Sequence, residues 1–503
     1  MGHEFPFGWF LAAFVAYTAL LFFISWLTAR KAGSNSFFSG DKKAPWPVVA
    51  YGMIGASISG VTFISVPGNV WVQNFFYMPL VLGFVGGYII IAKVLLPLYY
   101  KMNLTSIYTY LGERFGTKSH KTGTTVFMVS RLLGAAVRVF VVIVVFFAFM
   151  PKSLIDATSP LAVFTVITAI FLILLYLYTF KGGVKTIIWT DVLQTTFMLL
   201  AVGLTIFYIC RDMGWSFGQM FSVVSSSVNE NAGTVGYGHT FTSWFDWDWS
   251  HGTNAVKQFI SGIFVTIAMT GLDQAMMQKN LACKDLKAAQ KNMYTTSIII
   301  VVANFFFVLM GALLCVYAQS KGISFSKTDE LFPTIASQYL GVGVGIFFLI
   351  GLISASYPSA GAAMTALTTS FCVDYLGFNT REDLTAGKKE KTRKIVHAGV
   401  ALSFLIIIVV LQIVSSDAVV NLVYKLASYT YGPLLGMFFF GILSKRTVKD
   451  NAVPYIAVAA PVLCIIFNLV SKSLWGFDLG FTLLIVNGLL TFLGMWLFSR
   501  NDK

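Results

Sequence analysis

Charged side chains are scarce in this chain of 503 residues: 11% of the total, against 57% of hydrophobic type and a mean hydropathy of +0.76. So little charge cannot cover a soluble protein of this length, which excludes an ordinary soluble enzyme. Alternation of apolar and polar residues is missing too. The apolar runs are continuous over about 18 positions or more, which excludes a membrane β-barrel. Proline is sparse, 13 against 43 glycines, a balance that suits helices packed closely in lipid. The five cysteines (Cys210, Cys283, Cys315, Cys372, Cys464) form no C-x-x-C and lie near no histidine pair, so they read as small buried hydrophobes and not as a zinc or redox centre. There is no G-x-x-x-x-G-K-[ST], no H-E-x-x-H and no Ser/His/Asp arrangement. ATP-driven pumping and hydrolytic chemistry are thereby excluded. No catalytic residue and no organic cofactor is assigned.

What is present is a series of thirteen apolar segments, near 7–27, 45–68, 76–99, 123–150, 159–180, 186–210, 255–277, 294–318, 342–373, 396–415, 418–443, 452–471 and 477–499. At about 20 apolar residues per crossing, these predict an all-α polytopic membrane protein with thirteen transmembrane helices, the whole chain 1–503 forming one transporter domain. The first run has no basic stretch before it and no small-residue cleavage site after it, so it is kept as a helix. The formal charge of +14 does not point to nucleic acid, because the cations sort by loop. Alternate loops, starting after the first helix, hold 25 Lys and Arg, and the opposite set holds 5. That asymmetry predicts a multi-pass protein of the plasma (inner) membrane with its N-terminus outside and its C-terminus cytoplasmic. Lys93 and Lys257 lie near helix ends, where they can snorkel. The run Lys388–Lys394 faces anionic lipid. The longest loop, about 211–254, carries Trp244, Phe245, Trp247 and Trp249, either interfacial aromatics or a lid.

Three segments read as broken by small and polar residues at depths where unsatisfied backbone is costly. The second reads Gly52-Met53-Ile54-Gly55-Ala56-Ser57-Ile58-Ser59-Gly60-Val61-Thr62-Phe63. Such a stretch suits a helix that unwinds, freeing carbonyls for a cation and hydroxyls for a solute, although close small-residue packing also accounts for it. The seventh holds Ser261-Gly262, Thr266 and Thr270-Gly271 before Asp273-Gln274, and the ninth runs from Ser354 to Thr369 through Pro358 and Gly361. Ala355, Ser359, Ala362 and Ala366 share one helical face. Interruptions at corresponding places in two halves mark an inverted-repeat secondary transporter.

These residues resemble the sodium/solute symporters, the family of the sodium-coupled sugar and sialic acid carriers. The resemblance spans nearly the whole chain and rests on Gly55 to Phe63, on Lys181-Gly182-Gly183 with Ile188-Trp189-Thr190-Asp191, on Asp273-Gln274 with Gln278 to Ala282, on the ninth segment ending Cys372-Val373-Asp374, and on Ser428 to Pro433. It implies a leading helix (7–27), a five-plus-five inverted repeat (45–210 and 255–443) and two trailing helices (452–499). It also implies a sodium site built from carbonyls of Gly55, Ile58 and Ala355 with hydroxyls at 358 and 359. Position 358 is proline here, so Ser359 alone supplies a hydroxyl. A second sodium site would use Asp191 and Ser57 with polar groups at 361 and 362, which are Gly361 and Ala362 in this chain. At most one sodium is therefore expected; Pro358→Ser is expected to strengthen its binding, and adding Gly361→Ser with Ala362→Ser to create a second site beside Asp191. The polar residue that sugar carriers place on the core's second helix is Val81 here.

Asp191 lies about two turns inside an apolar helix and is functional by default, as an ion ligand, a proton carrier or a tie to nearby backbone. Arg131 and Arg138 share one face of the fourth segment, and Lys425 occupies a substrate-contacting position of the family. With Asp191, Asp273 and Asp374 read as lying toward the cytoplasmic side, the deep cations call for an anion. The expected solute-binding residues are Ser59, Thr62, Ser261, Arg138 and Lys425. The reading is a secondary transporter importing a small, anionic organic solute by alternating access with sodium. The alternatives are a proton-coupled or uncoupled carrier, or a transporter-like sensor or scaffold.

Overall fold

The computed structural model describes residues 7–30, 37–38, 40–180, 183–230, 238–381, 383–414, 419–477 and 479–501. In a lipid phase each backbone N–H and C=O must be satisfied within its own segment, so the apolar runs fold as helices. They are α1 (Phe7–Ala29), α2 (Trp46–Ser57), α3 (Gly60–Gln73), α4 (Met78–Lys101, with a π-turn at Ile91–Leu95), α5 (Thr117–Ala148), α6 (Pro160–Thr179) and α7 (Gly183–Met213). There follow α8 (Ala255–Thr266, extended by a π-turn to Gly271), α9 (Gln274–Leu281), α10 (Leu286–Lys321), α11 (Val342–Ser370), α12 (Ala386–Val414), α13 (Val419–Leu443), α14 (Val453–Trp475) and α15 (Leu483–Leu497). Among the described residues ten helices are long and apolar enough to cross a membrane, and twelve spans result when each of two bent pairs counts as one. The shorter stretch Ala427–Leu443 lies within α13.

The two bent pairs are α2 with α3, at 59°, and α8 with α9, at 67°. At the first break Ile58 and Ser59 are both extended (φ −87°, ψ 100° and φ −89°, ψ 173°). The helical ladder closes with Ile58 N–H on the Ile54 carbonyl and reopens with Phe63 N–H on that of Ser59. At the second break Asp273 is extended and its carboxylate accepts from Met276 N at 3.1 Å, capping α9. The ninth segment differs from expectation. It is one helix from Val342 to Ser370, continuous through Pro358, with a π-turn only at Phe371–Tyr375. Its small residues serve packing: a Cβ on Gly351 would stand 2.5 Å from the Ala201 Cβ of α7.

α10 and α11 form the buried centre, whereas α1, α12 and α14 turn most of their surface outward as lipid-facing apolar side chains. Polar ties join the periphery to this centre. Ser354 of α11 donates to Tyr17 Oη of α1 at 2.6 Å, and Ser25 donates to the Tyr178 carbonyl at 2.8 Å. Asp450 accepts from Lys118 N and Ser119 N at 2.9 and 2.7 Å, capping the start of α5. The chain ends in a two-residue antiparallel pairing, β1 (Thr447–Val448) on β2 (Ser499–Arg500). Among the described residues all five cysteines are free, and burial pushes the Cys283 thiol, in the turn after α9, up to about 12. Four of the five are buried, as their sequence setting suggested, whereas Cys210 is half-buried.

Candidate functional site

The first break sits where four helices meet. Gly52 and Gly55 let α2 press on α7: a Cβ on Gly52 would lie 3.0 Å from the Asp191 Cβ, and one on Gly55 would lie 2.5 Å from Thr195 Oγ1. Gly55 N–H donates to that hydroxyl at 3.1 Å. Gly60 opens α3 against α11 and α5, its missing Cβ 2.8 Å from both Ser356 Oγ and Val142 Cγ2. The glycines of the second segment thus serve close packing on both sides of the break at Ile58 and Ser59.

Beside this break is a cavity of about 120 Å³. Ser57, Ile58, Ser59 and Thr62 line it from the break, Arg131 and Arg138 from α5, and Thr266 and Thr270 from the second broken span. Its apolar wall includes Phe84 and Tyr88 of α4, Met269 and Ile300. Of the residues expected at the ion and solute sites, Ser57, Ile58, Ser59, Thr62 and Arg138 therefore line one cavity. Ser359 joins them through Arg138, whose Nη1 donates to its hydroxyl at 3.4 Å. Gly55 and the buried Ala355 lie on the two elements that pack at the break. Ser261 is buried on α8 with no hydrogen-bond partner for its hydroxyl among the described residues, but it does not line the cavity. The Lys425 side chain and Asp417 lie outside the described residues.

The acids are arranged differently from the sequence reading. Asp191 is paired with Lys279 of α9, both side chains fully or nearly buried, so the acid of the first half meets a cation from the second broken span. Asp273 is beside the cavity wall, not apart from it: its Oδ2 accepts from Tyr431 Oη at 2.8 Å and lies 3.4 Å from Arg131 Nη1. One of the deep cations therefore already has a counter-charge. Asp374 does lie in a separate cluster, accepting from Ser106 Oγ at 2.7 Å and Thr124 Oγ1 at 3.1 Å, with His120 Nε2 at 3.0 Å. Outside the spans, burial against α3 raises the Asp329 carboxyl above its ordinary range.

The second-site restoration expected from Gly361 meets an occupied space. A Cβ at 361 would stand 2.3 Å from Tyr178 Oη and 3.2 Å from its Cζ. Gly361→Ser is therefore expected to lower the melting temperature of the purified protein, and Tyr178→Phe in the same chain to recover part of the loss by removing the nearer atom. A serine tolerated without change, or one that adds a sodium-dependent stabilisation, would show that Tyr178 yields readily and that a ligand can be built there.

Two broken helices meeting at a polar cavity inside an apolar multi-helix bundle define a membrane transporter, because unwound backbone at depth is tolerated only where it is buried or lines a binding space. The sequence matches the sodium:solute symporter family over residues 37–454, and the chain belongs to that family. It is similar to the sodium/sialic acid symporter of Proteus mirabilis, with 23% identity over 470 residues covering 91% of this chain and 89% of that protein. It is also similar to the sodium-coupled monocarboxylate transporter 2 of Bos taurus, with 23% identity over 447 residues covering 86% and 67%. The fold is shared with a sodium-coupled sialic acid symporter solved in a substrate-bound outward-open state, at TM-score 0.80 and 18% identity over 99% of this chain and 100% of that one. A nucleobase-cation-symport-1 family transporter in a closed conformation is similar at TM-score 0.55 and 13% identity, over 92% and 94%.

Arg131 and Tyr431 are the residues that the sequence reading left out of the site. Arg131 had a signal, its spacing of seven from Arg138. Tyr431 had one too, its place in the Ser428 to Pro433 stretch that carries the family resemblance, but nothing in that stretch pointed it at Asp273.

Proposed function

We propose that this protein is a sodium-coupled symporter that carries a small organic anion, a carboxylate, inward by alternating access. The carrying observation is the cavity at the first break, where two arginines on one face of α5 meet the hydroxyls of Ser57, Ser59 and Thr62. Guanidinium groups present paired donors that match a carboxylate, and the apolar wall excludes water from that pair. Relatives that are named for sialic acid and for monocarboxylates support the same substrate class. In this reading Arg138, Ser59 and Thr62 hold the solute, while Ser261 lies one layer behind. Lys425 is a further solute contact by position on α13.

Sodium is placed at the first break, on carbonyls of Gly55 and Ile58 with the Ala355 carbonyl and Ser359 Oγ of α11. A hard cation of this kind is held by oxygen donors. Asp191, tied to Lys279, is assigned to holding α7 against α9 rather than to a second ion, and Ser57 faces the solute. Counting α13 as a span gives thirteen, arranged as a leading helix, two five-helix repeats over 45–210 and 255–443, and trailing helices over 452–499. The cation asymmetry of the loops sets the N-terminus outside and the C-terminus in the cytoplasm.

Uptake of radiolabelled sialic acid and of pyruvate into proteoliposomes, with and without an inward sodium gradient, tests this reading. Sodium-driven uptake of one of them is expected, with a sodium Hill coefficient near one. Ser359→Ala should raise the half-saturating sodium concentration about tenfold, the effect of one lost polar contact of roughly 1.4 kcal/mol. Uptake driven instead by a pH gradient in sodium-free buffer would establish the proton-coupled alternative. Binding without any uptake would establish the sensor.

A further inference from the structure

Arg131 is 3% exposed, yet its Nε and Nη2 have no hydrogen-bond partner among the described residues. Its Nη1 approaches Asp273 Oδ2 at 3.4 Å, and the Tyr431 hydroxyl that donates to the same carboxylate lies beside the guanidinium. A buried guanidinium ordinarily fills most of its five donors, and leaving them open is costly. The same side chain lines the cavity that opens at the first break. On its other side Asp273 is committed three ways: Oδ1 caps α9 through Met276 N, and Oδ2 receives Tyr431 Oη as well as facing Arg131. Arg131 therefore bridges the cavity to the residue at which the second span is broken.

We propose that Arg131 is a charge shared between the solute carboxylate and Asp273, and that through this sharing anion binding loosens the start of α9. The inference rests on the anionic-solute reading above and adds the residue that couples the solute to a moving element. Without the solute, Asp273 neutralises Arg131 across the 3.4 Å ion pair. A carboxylate entering beside Ser57 and Thr62 offers the open Nε and Nη2 a bidentate partner and draws the guanidinium toward itself. Asp273 then loses its counter-charge, and a buried carboxylate without one favours any rearrangement that returns it to water or to new donors. The rearrangement open to it is a shift of the α9 N-terminus that it caps. α9 is held elsewhere by Asp191 on Lys279, by Tyr100 Oη on the Asn280 carbonyl at 2.9 Å, and by Asn292 Nδ2 on Asn280 Oδ1 at 2.6 Å. Its far end stays anchored, and its first turn keeps the Gln274 side chain, which accepts from Ile107 N at 3.0 Å and donates to the Thr105 carbonyl at 2.7 Å, as the pivot about which it shifts. A ligand shifts such an equilibrium only through its unequal affinity for the two states, and the competition for Arg131 supplies that inequality.

The test uses the full-length purified protein with sialic acid and pyruvate as probes and their methyl esters as uncharged controls. Asp273→Asn keeps the cap, since asparagine accepts from Met276 N as aspartate does, but removes the competing charge. It is expected to bind the carboxylate about fivefold tighter or more, the low end of couplings between sites, while its turnover in proteoliposomes falls by about as much. A purely structural role for Asp273 would weaken both together, and that result would overturn the proposal. In the wild-type protein, hydrogen exchange over residues 274–281 should rise on adding the carboxylate and not on adding its ester. Unchanged exchange with bound carboxylate also overturns the proposal, whatever the behaviour of the variant. If neither carboxylate binds the wild type at all, the anionic-solute reading fails, and this inference falls with it.

Discussion

Lys279→Met is expected to cost the protein about 3–5 kcal/mol, the usual penalty for removing one partner of a buried ion pair. The pair is closed off from solvent on both sides: Asp191 is 0% exposed and Lys279 2%. Asp191 Oδ1 has no hydrogen-bond partner among the described residues, so the ammonium on Oδ2 is the carboxylate's principal stabilising contact there. Gly52 of α2 sits directly over the Asp191 Cβ, which leaves little room for water to replace the lysine. The loss should appear as a large drop in melting temperature and as a poor yield of monodisperse protein. Adding Asp191→Asn to Lys279→Met should recover most of it, because a neutral amide does not need a counter-ion. A single variant as stable as the wild type would mean that Asp191 is already neutral or hydrated. A single variant stabilised specifically by sodium would mean that the ammonium occupies a place a free cation can take.

The spans were legible because lipid imposes one rule on all of them: continuous apolar length becomes helix. Breaks were legible where glycine and hydroxyl residues cluster, at Gly52 to Thr62 and around Asp273, and that inference succeeded twice. It failed in the ninth segment, whose composition is just as rich in Gly, Ser and Thr. There the neighbours decide the outcome. The Thr365, Thr368 and Thr369 region sits in a continuous helix; Thr368 Oγ1 donates to the Met364 carbonyl at 2.8 Å and Thr369 Oγ1 to that of Thr365 at 2.9 Å. Hydroxyls that satisfy their own helix are indistinguishable in sequence from hydroxyls that replace it. Charge pairing was the least legible part. Asp191 with Lys279 and Arg131 with Asp273 join residues 88 and 142 positions apart, and nothing local in the sequence specifies either partner. Reading Asp273 as remote from the cavity followed from its place at the end of an apolar run; in the structure the run continues past it as α9.

Gly83→Ala and Gly262→Ala should each destabilise the protein by about 1–3 kcal/mol, with the double variant failing to fold. α4 and α8 cross at these two glycines, each against the other's backbone. A Cβ on Gly83 would lie 2.1 Å from the Phe259 carbonyl oxygen and 3.0 Å from the Gly262 Cα. One on Gly262 would lie 2.1 Å from the Leu80 carbonyl oxygen and 3.0 Å from the Gly83 Cα. The obstructing atoms are main chain, so no side-chain rotation relieves the contact and the two helices must move apart. Gly87, one turn further along α4, repeats the constraint with its absent Cβ 2.6 Å from the Ile263 carbonyl oxygen. Small residues spaced by four let helices associate in lipid, where dispersion contacts rather than hydrophobic exclusion hold them together. Separation also reaches the cavity, because Phe84 and Tyr88 of α4 face Val265 and Thr266 of α8 across it. Thermal melting should thus report the packing loss, and carboxylate binding by any variant that still folds should weaken with it. Gly134→Ala and Gly203→Ala are the controls, since nothing lies within 4 Å of a Cβ at either position. Equal losses at all four positions would point to a general intolerance of α-helical glycine replacement, whereas losses confined to Gly83 and Gly262 locate the requirement in the α4–α8 crossing.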